Sequence, residues 1–313
     1  MKAKITVVCG PTAGGKTRIS VELAKALGAE IISADSMQIY EELNIGTAKP
    51  TAGEMAGIRH HLIGIISIKS AASEPFSVAK YVQMAGECAR EIAERGKNVI
   101  ICGGTGLYID HFINNTRFAD CESDTGYRDE LDKLSSEQLY RLLSAADKKS
   151  AELIHPNNRK RIIRALEIFK TTGKTKSELD ELSKLEEPAY DFVKIGLNYA
   201  DREVLYGNID RRTDSMMAGG LAGEALKLYE SGGEALIRKI GAIGYAELFD
   251  FFAGLCGIGE AVENIKRHTR NYAKRQLTWF KRDPRTIWLE PDGGCVKKCA
   301  DLCGLSHSGY KNL

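Results

Sequence analysis

The sequence predicts an α/β protein, a P-loop parallel-sheet core with a helical insertion domain, and three observations carry that expectation. Short β-branched runs closed by glycine alternate with segments of helical periodicity. The first run opens onto a glycine-rich loop that leads into a helix. Between residues 115 and 191 the texture turns charged, glycine-poor and helical, with no convincing strand. These changes divide the chain into a discontinuous core of residues 1–114 and 192–290, an insertion of residues 115–191, and a tail of residues 291–313 with no clear pattern.

Taken in order, Ile5-Thr6-Val7-Val8-Cys9 is too short for a helix and suits a buried parallel strand. From Lys16, Ile19, Leu23 and Leu27 recur at helical spacing until Gly28 stops them. Glu30-Ile31-Ile32-Ser33 predicts a second strand, and a helix from about Ser77 to Glu94 leads to a third at Asn98-Val99-Ile100-Ile101-Cys102. In the insertion, Leu131, Leu134, Leu139, Leu142 and Leu143 mark short amphipathic helices. Phe192 to Leu197 reads as a returning strand, followed by helical stretches from Arg202 to Gly232 and from Ile258 to about Lys281.

At 313 residues the chain is long enough for about two folded units and a sizeable core. Its composition, 43% hydrophobic and 27% charged, excludes collagen, extended disorder and a coiled coil. A net charge of +2 from 44 basic and 42 acidic residues identifies no partner, so local clusters must carry that argument. Met1 to Cys9 runs directly into Gly10-Pro11 without a leader-like apolar core, so the eight cysteines are expected to be reduced and the protein cytoplasmic. No apolar run approaches the ~18 residues a membrane span needs.

Gly10-Pro11-Thr12-Ala13-Gly14-Gly15-Lys16-Thr17 satisfies G-x-x-x-x-G-K-[ST] between a strand and a helix, the context a phosphate cradle requires. Its glycines let backbone N–H groups curl round phosphate oxygens, Lys16 supplies a point charge, and Thr17 can ligate Mg²⁺. Such a loop reads a diphosphate and ignores what is attached to it. An NTPase would be expected to carry a metal-binding acid after an apolar strand, but Cys102-Gly103-Gly104-Thr105-Gly106 has none. The acid follows the second strand instead, at Asp35, so Lys16, Asp35 and Thr105 should face one crevice at the carboxyl ends of neighbouring strands. Asp35 is then either a metal or structural ligand or a general base.

Beyond the cradle, several ordered motifs resemble the bacterial tRNA dimethylallyltransferase (tRNA isopentenyltransferase) family over nearly the whole chain. They are Asp35-Ser36-Met37-Gln38-Ile39-Tyr40, Asn44 to Pro50, His60-His61-Leu62, Gly103 to Tyr108, Asn158-Arg159 through Glu167, Arg212 to Leu221, Ala242 to Tyr245 before Glu247, and Arg275-Gln276-Leu277-Thr278-Trp279-Phe280. The resemblance implies transfer of a dimethylallyl group from dimethylallyl diphosphate to N6 of the adenine just 3′ of the anticodon. It assigns Arg212 to the diphosphate beside Gly10 to Thr17, Thr105 to the oxygen where the bond breaks, and Gln38 to the adenine. It also places Asp35, Ser36, Met37, Thr105, Arg128, Ile162 and Ile163 against tRNA; Met37 stands where many relatives carry arginine.

The chemistry is consistent with those roles. An allylic diphosphate departs as a polyanion from a delocalised cation, so Lys16, Thr17 with Mg²⁺ and the loop amides serve the leaving group. The adenine amine becomes acidic as its bond to carbon forms, which suits a carboxylate base, here Asp35. The base must leave its stack to be reached. Lys16, Asp35 and Thr105 are therefore the candidate catalytic residues.

From Lys266 to Arg285 eight basic residues face a single acid, Asp283, and Arg267, Arg270 and Lys274 fall at helical offsets that make a basic stripe. Arg159, Lys160, Arg161 and Arg164 form a second cluster. Both are expected to meet the phosphates of a tRNA anticodon stem-loop. The enzyme is expected to act as a monomer without a membrane partner. Cys295, Cys299, Cys303 and His307 recur every four residues, but on one helix that spacing spreads the ends about 18 Å apart, too far for one zinc ion. His60 and His61 are expected to be structural, and no role is given to Tyr108 or Trp279. A small-molecule kinase, or an RNA-binding protein with a nucleotide-sensing loop, would share the cradle; the basic stripe and the Thr105 loop disfavour them.

Overall fold

In the computed structural model, residues 4–73, 76–116, 118, 124–184 and 190–304 are described. Six parallel strands build one sheet: β1 (Lys4–Cys9), β2 (Ala29–Ser33), β3 (His60–His61), β4 (Asn98–Gly103), β5 (Asp191–Leu197) and β6 (Thr286–Leu289). Their order across the sheet is β3-β2-β4-β1-β5-β6. Val8 lies opposite Cys102 of β4 and Ile195 of β5, so the loops that leave β1, β2 and β4 emerge side by side. Pairing continues past the strand ends, with Ala34 N–H donating to Cys102 O at 2.8 Å and Thr105 N–H to Ala34 O at 3.0 Å. Gly103 permits this approach: a Cβ there would stand 2.1 Å from Ala34 O.

The four strands expected from sequence are present within a residue or two of their ends. Two more were not foreseen. β3 has only two residues and no apolar alternation; its His61 Nε2 meets Glu30 Oε2 at 2.7 Å. β6 is four residues long and lies at the sheet edge beside β5. The expected helical stretch from Arg202 to Gly232 is two helices, Arg202–Ala218 and Leu221–Glu230, because Gly220 takes φ +97 between them. The tail contains a helix, Cys295–Leu302, whose Cys295, Val296, Cys299 and Ala300 join the core formed by Ile19, Leu23, Ile31 and Ile100.

Two compact units result, residues 1–112 with 190–313, and residues 113–189. The second holds only helices among its described residues, packed round Leu139, Leu143, Ile162 and Leu166. No described helix is long and apolar enough to cross a membrane.

Candidate active site

The cradle leaves β1 at Gly10, whose φ of +144 and the pressure of Leu197 O, 2.4 Å from where a Cβ would sit, admit no side chain. Gly15 at φ +76 turns the loop into helix Lys16–Leu27, and Ala13 also adopts a positive φ, +58. Lys16 Nζ donates to Pro11 O at 2.7 Å, folding its ammonium back over the loop. Thr12 N–H donates to Gln276 Oε1 at 2.8 Å, and Arg212 Nη1 donates to Thr12 Oγ1 at 3.4 Å.

The loops after β2 and β4 are joined by a hydroxyl: Ser36 N–H donates to Thr105 Oγ1 at 3.0 Å, and Thr105 Oγ1 lies 3.3 Å from Ser36 Oγ. Asp35 Oδ1 accepts the N–H groups of Met37 at 2.9 Å and Gln38 at 3.3 Å, an Asx turn that fixes the carboxylate and leaves Oδ2 for a proton. The Asp35, Thr105 and cradle loops thus meet at one end of the sheet, as the strand order requires. Burial pushes the Lys16 ammonium below its ordinary value; the nearby Arg212 lowers it further, while Cys102 and Asp35 oppose. Burial likewise lowers Arg212, with Asp35 opposing. Two desolvated cations sharing Asp35 as counter-charge make a site suited to a polyanion.

Gln276 was quoted in a motif but given no role. It is buried on helix Ile258–Phe280, and its Nε2 donates to Gly104 O at 3.0 Å while its Oε1 holds Thr12. The available signal was an amide on a face otherwise made of Ala261, Ile265, Ala273 and Phe280. Tyr272, one turn earlier, was also missed. Burial and then Asp35 raise its phenol above the ordinary value, against hydrogen bonds with Thr105 and Gln276.

Several residues expected at the site are engaged within the protein. The side chains of Ile162 and Ile163 lie in the apolar core of the helical unit. Gln38 does not offer a free amide: Nε2 donates to Thr47 O at 3.1 Å and Ala48 O at 3.2 Å, and Ser33 Oγ donates to Oε1 at 3.5 Å. Arg128 and Arg164 both hold the buried Glu167, at 2.7 and 2.6 Å, and Arg159 caps Leu134 O and Asp132 O. Lys160 and Arg161 are exposed. On the long helix Arg270 pairs with Asp210 at 2.5 Å, whereas Arg267 and Lys274 are exposed.

His60 Nδ1 donates to Ile58 O at 2.9 Å, and with His61 belongs to the sheet edge. Tyr108 stacks on Tyr81 with centroids 4.2 Å apart, and Trp279 Nε1 donates to Asp110 Oδ2 at 2.6 Å. Cys295 and Cys299 sulfurs are 3.9 Å apart and Cys303 meets Thr6 Oγ1 at 3.2 Å; His307 lies outside the described residues. No cluster of three or more metal-ligating side chains occurs among the described residues. A cavity of about 730 Å³ in the same unit is lined by Asn44, Ile45, Glu224 and Leu228, and not by the cradle, Asp35 or Thr105.

Comparison with known proteins places the whole chain. The sequence pattern of a family described as IPP transferase matches residues 38–283. The chain is 47% identical over 305 residues to the tRNA dimethylallyltransferase of Bacillus cytotoxicus, spanning 96% of this chain and 94% of that protein. It is 44% identical to that of Lachnoclostridium phytofermentans, over 91% of each. Among solved structures it is similar to the tRNA isopentenylpyrophosphate transferase of Bacillus halodurans, with TM-score 0.70 and 42% identity over 96% and 94% of the two chains. A eukaryotic dimethylallyltransferase captured acting on tRNA gives TM-score 0.81 at 28% identity, over 92% of this chain and 74% of that one.

Proposed function

The chain belongs to the IPP transferase family, and from that premise we propose that it transfers the dimethylallyl group of dimethylallyl diphosphate to N6 of the adenosine 3′-adjacent to the anticodon of tRNA, releasing diphosphate. The observation that carries this reading is the meeting of two partly buried cations, Lys16 and Arg212, with the Asp35 carboxylate and the Thr105 hydroxyl at one end of the sheet.

The carbon–oxygen bond of the donor breaks, the carbon–nitrogen bond forms, and one N6 proton is lost. Amides of Gly10 to Thr17, with Lys16 and Arg212, bind the departing diphosphate and offset its charge. Thr105 is placed to hydrogen-bond the oxygen that leaves, since its hydroxyl can rotate from Ser36 Oγ. Asp35 Oδ2 takes the proton from N6 while the Asx turn holds the carboxylate still. Thr17, the second residue of its helix, would supply a hard hydroxyl oxygen suited to Mg²⁺. Bound there, Mg²⁺ would neutralise leaving-group charge.

Gln38 must release Thr47 O and Ala48 O before its amide can read adenine. The helical unit, through Lys160 and Arg161, and the exposed Arg267 and Lys274 supply the cations for the anticodon stem-loop. We assign the protein to the cytoplasm as a monomer; the described cysteines are all free, consistent with a reducing compartment. Incubation with dimethylallyl diphosphate and unmodified tRNA, followed by nucleoside mass analysis, should yield N6-dimethylallyladenosine. No product with the allylic donor, or transfer of phosphate from ATP to an acceptor in its place, would reject the reading.

A further inference from the structure

We infer that Gln276 is a positioning residue that sets the separation between the diphosphate cradle and Thr105. Each end of its amide holds a backbone group, Oε1 accepting from Thr12 N–H at 2.8 Å and Nε2 donating to Gly104 O at 3.0 Å. One planar group thereby ties the loop after β1 to the loop after β4, one residue before Thr105. The fit is close, because a Cβ on Gly104 would stand 2.2 Å from Gln276 Nε2. The amide orientation follows from its partners, since only an acceptor can serve Thr12 N–H and only a donor Gly104 O.

The bridge has a second effect. Thr12 N–H is a cradle amide, so its bond to Gln276 Oε1 also fixes the loop that carries the remaining amides. Gln276 itself is held from behind: it lies on helix Ile258–Phe280, whose Trp279 closes against Gly106, where a Cβ would meet Trp279 Cδ1 at 2.2 Å. The chain end bearing Thr105 is therefore fixed by Gln276 before it and Trp279 after it. A displacement of about 1 Å between leaving-group contacts and the reacting bond is enough to cost on the order of a hundredfold in rate.

This inference rests on the transferase reading above, and the experiment separates the two. Wild type, Gln276→Met, Thr105→Ala and the double variant are assayed for transfer to tRNA, with thermal unfolding followed in parallel. Absence of transfer by wild type would count against the reading of the function. With wild type active, Gln276→Met should lower kcat by about tenfold to a hundredfold while KM for donor and for tRNA each stay within about threefold and the unfolding midpoint is kept. The double variant should fall short of the product of the two single losses by about threefold or more, as expected of groups that act together. Gln276→Glu keeps the acceptor for Thr12 N–H but sets a carboxylate against Gly104 O, and should also lose kcat without unfolding. A kcat loss that tracks a lowered midpoint, a loss confined to KM, or strict multiplicativity with Thr105→Ala would overturn the inference.

Discussion

Asp35 is pinned by its own loop: with Oδ1 occupied by Met37 and Gln38 N–H groups, the carboxylate has one oxygen and one direction for a proton. Asp35→Ala should lower single-turnover transfer by about a hundredfold or more, while diphosphate binding, carried by Lys16, Arg212 and the loop amides, survives. Near-wild-type transfer by that variant would remove Asp35 as the base. Glu30 shows a different use of a fixed carboxylate. Burial alone would raise its pKa, but hydrogen bonds from His61, Arg95 and Lys97 win and hold it at about 2, against an ordinary value of 4.5. Because the folded value is depressed, the stability it contributes is complete above about pH 4.5 and is lost as pH falls toward about 2. Glu30→Gln should flatten the decline of urea stability across that window; an unchanged acid profile would show that the cluster contributes nothing. The cradle, Asp35 and Thr105 were legible in the sequence because each lies in a short motif at a strand end. Gln276 was not, because its partners Thr12 and Gly104 are 264 and 172 residues away, and only folding reveals that its amide reaches both. The burial of the Ile162 and Ile163 side chains was not legible for a related reason: a family motif names a stretch of helix, whereas burial depends on which face turns inward.

At the scale of elements, the sheet was readable wherever β-branched runs marked strands buried on both faces, and unreadable at its edges. β3 and β6 are short and owe their pairing to neighbours rather than to their own pattern. β5 carries a feature that strand propensity argues against, the wholly buried Lys194. Its Nζ donates to Asp110 Oδ1 at 2.8 Å and Asp283 Oδ2 at 2.9 Å, acids 84 and 89 residues distant in sequence. Asp110 also accepts from Trp279, and Arg285 holds Asp283. One ammonium thus joins β5 to the helix that follows Thr105 and to the turn after helix Ile258–Phe280. Burial would lower the Lys194 pKa, yet the hydrogen bond with Asp110, the attraction of that carboxylate and the hydrogen bond with Asp283 raise it. Lys194→Met should cost about 3 kcal/mol or more of stability, since it leaves two carboxylates facing an apolar side chain. Asp110→Asn should cost less, because Asp283 still pairs with the lysine. Urea denaturation with an unchanged m-value is the measurement, and a Lys194→Met loss below about 1 kcal/mol would mean that the acids find water instead.

For the molecule as a whole, a net charge of +2 conceals where the cations stand, and the structure sorts them by what already holds them. Arg128, Arg164 and Arg270 are committed to Glu167 and Asp210, and Lys266 to Asp214 at 2.8 Å, so these charges are partly neutralised inside the protein. Arg267 and Lys274 on the long helix, and Lys160 and Arg161 in the helical unit, are exposed. The sequence showed both basic clusters, but not this division, because ion pairing depends on acids brought in by other helices. A cation that meets an RNA phosphate releases bound counterions, so its removal lowers the dependence of affinity on salt by about one unit of log–log slope. Arg267→Ala and Lys274→Ala together should therefore reduce the slope of log K against log salt by about two. Arg270→Ala, which frees Asp210 as it removes a charge, should weaken binding without a matching change of slope. Filter binding of tRNA across a salt series measures both, with transfer at saturating tRNA expected to stay within about threefold of wild type. An unchanged slope in the Arg267 and Lys274 double variant would move the RNA off this helix face and leave the cluster around Lys160 and Arg161 as the phosphate contact.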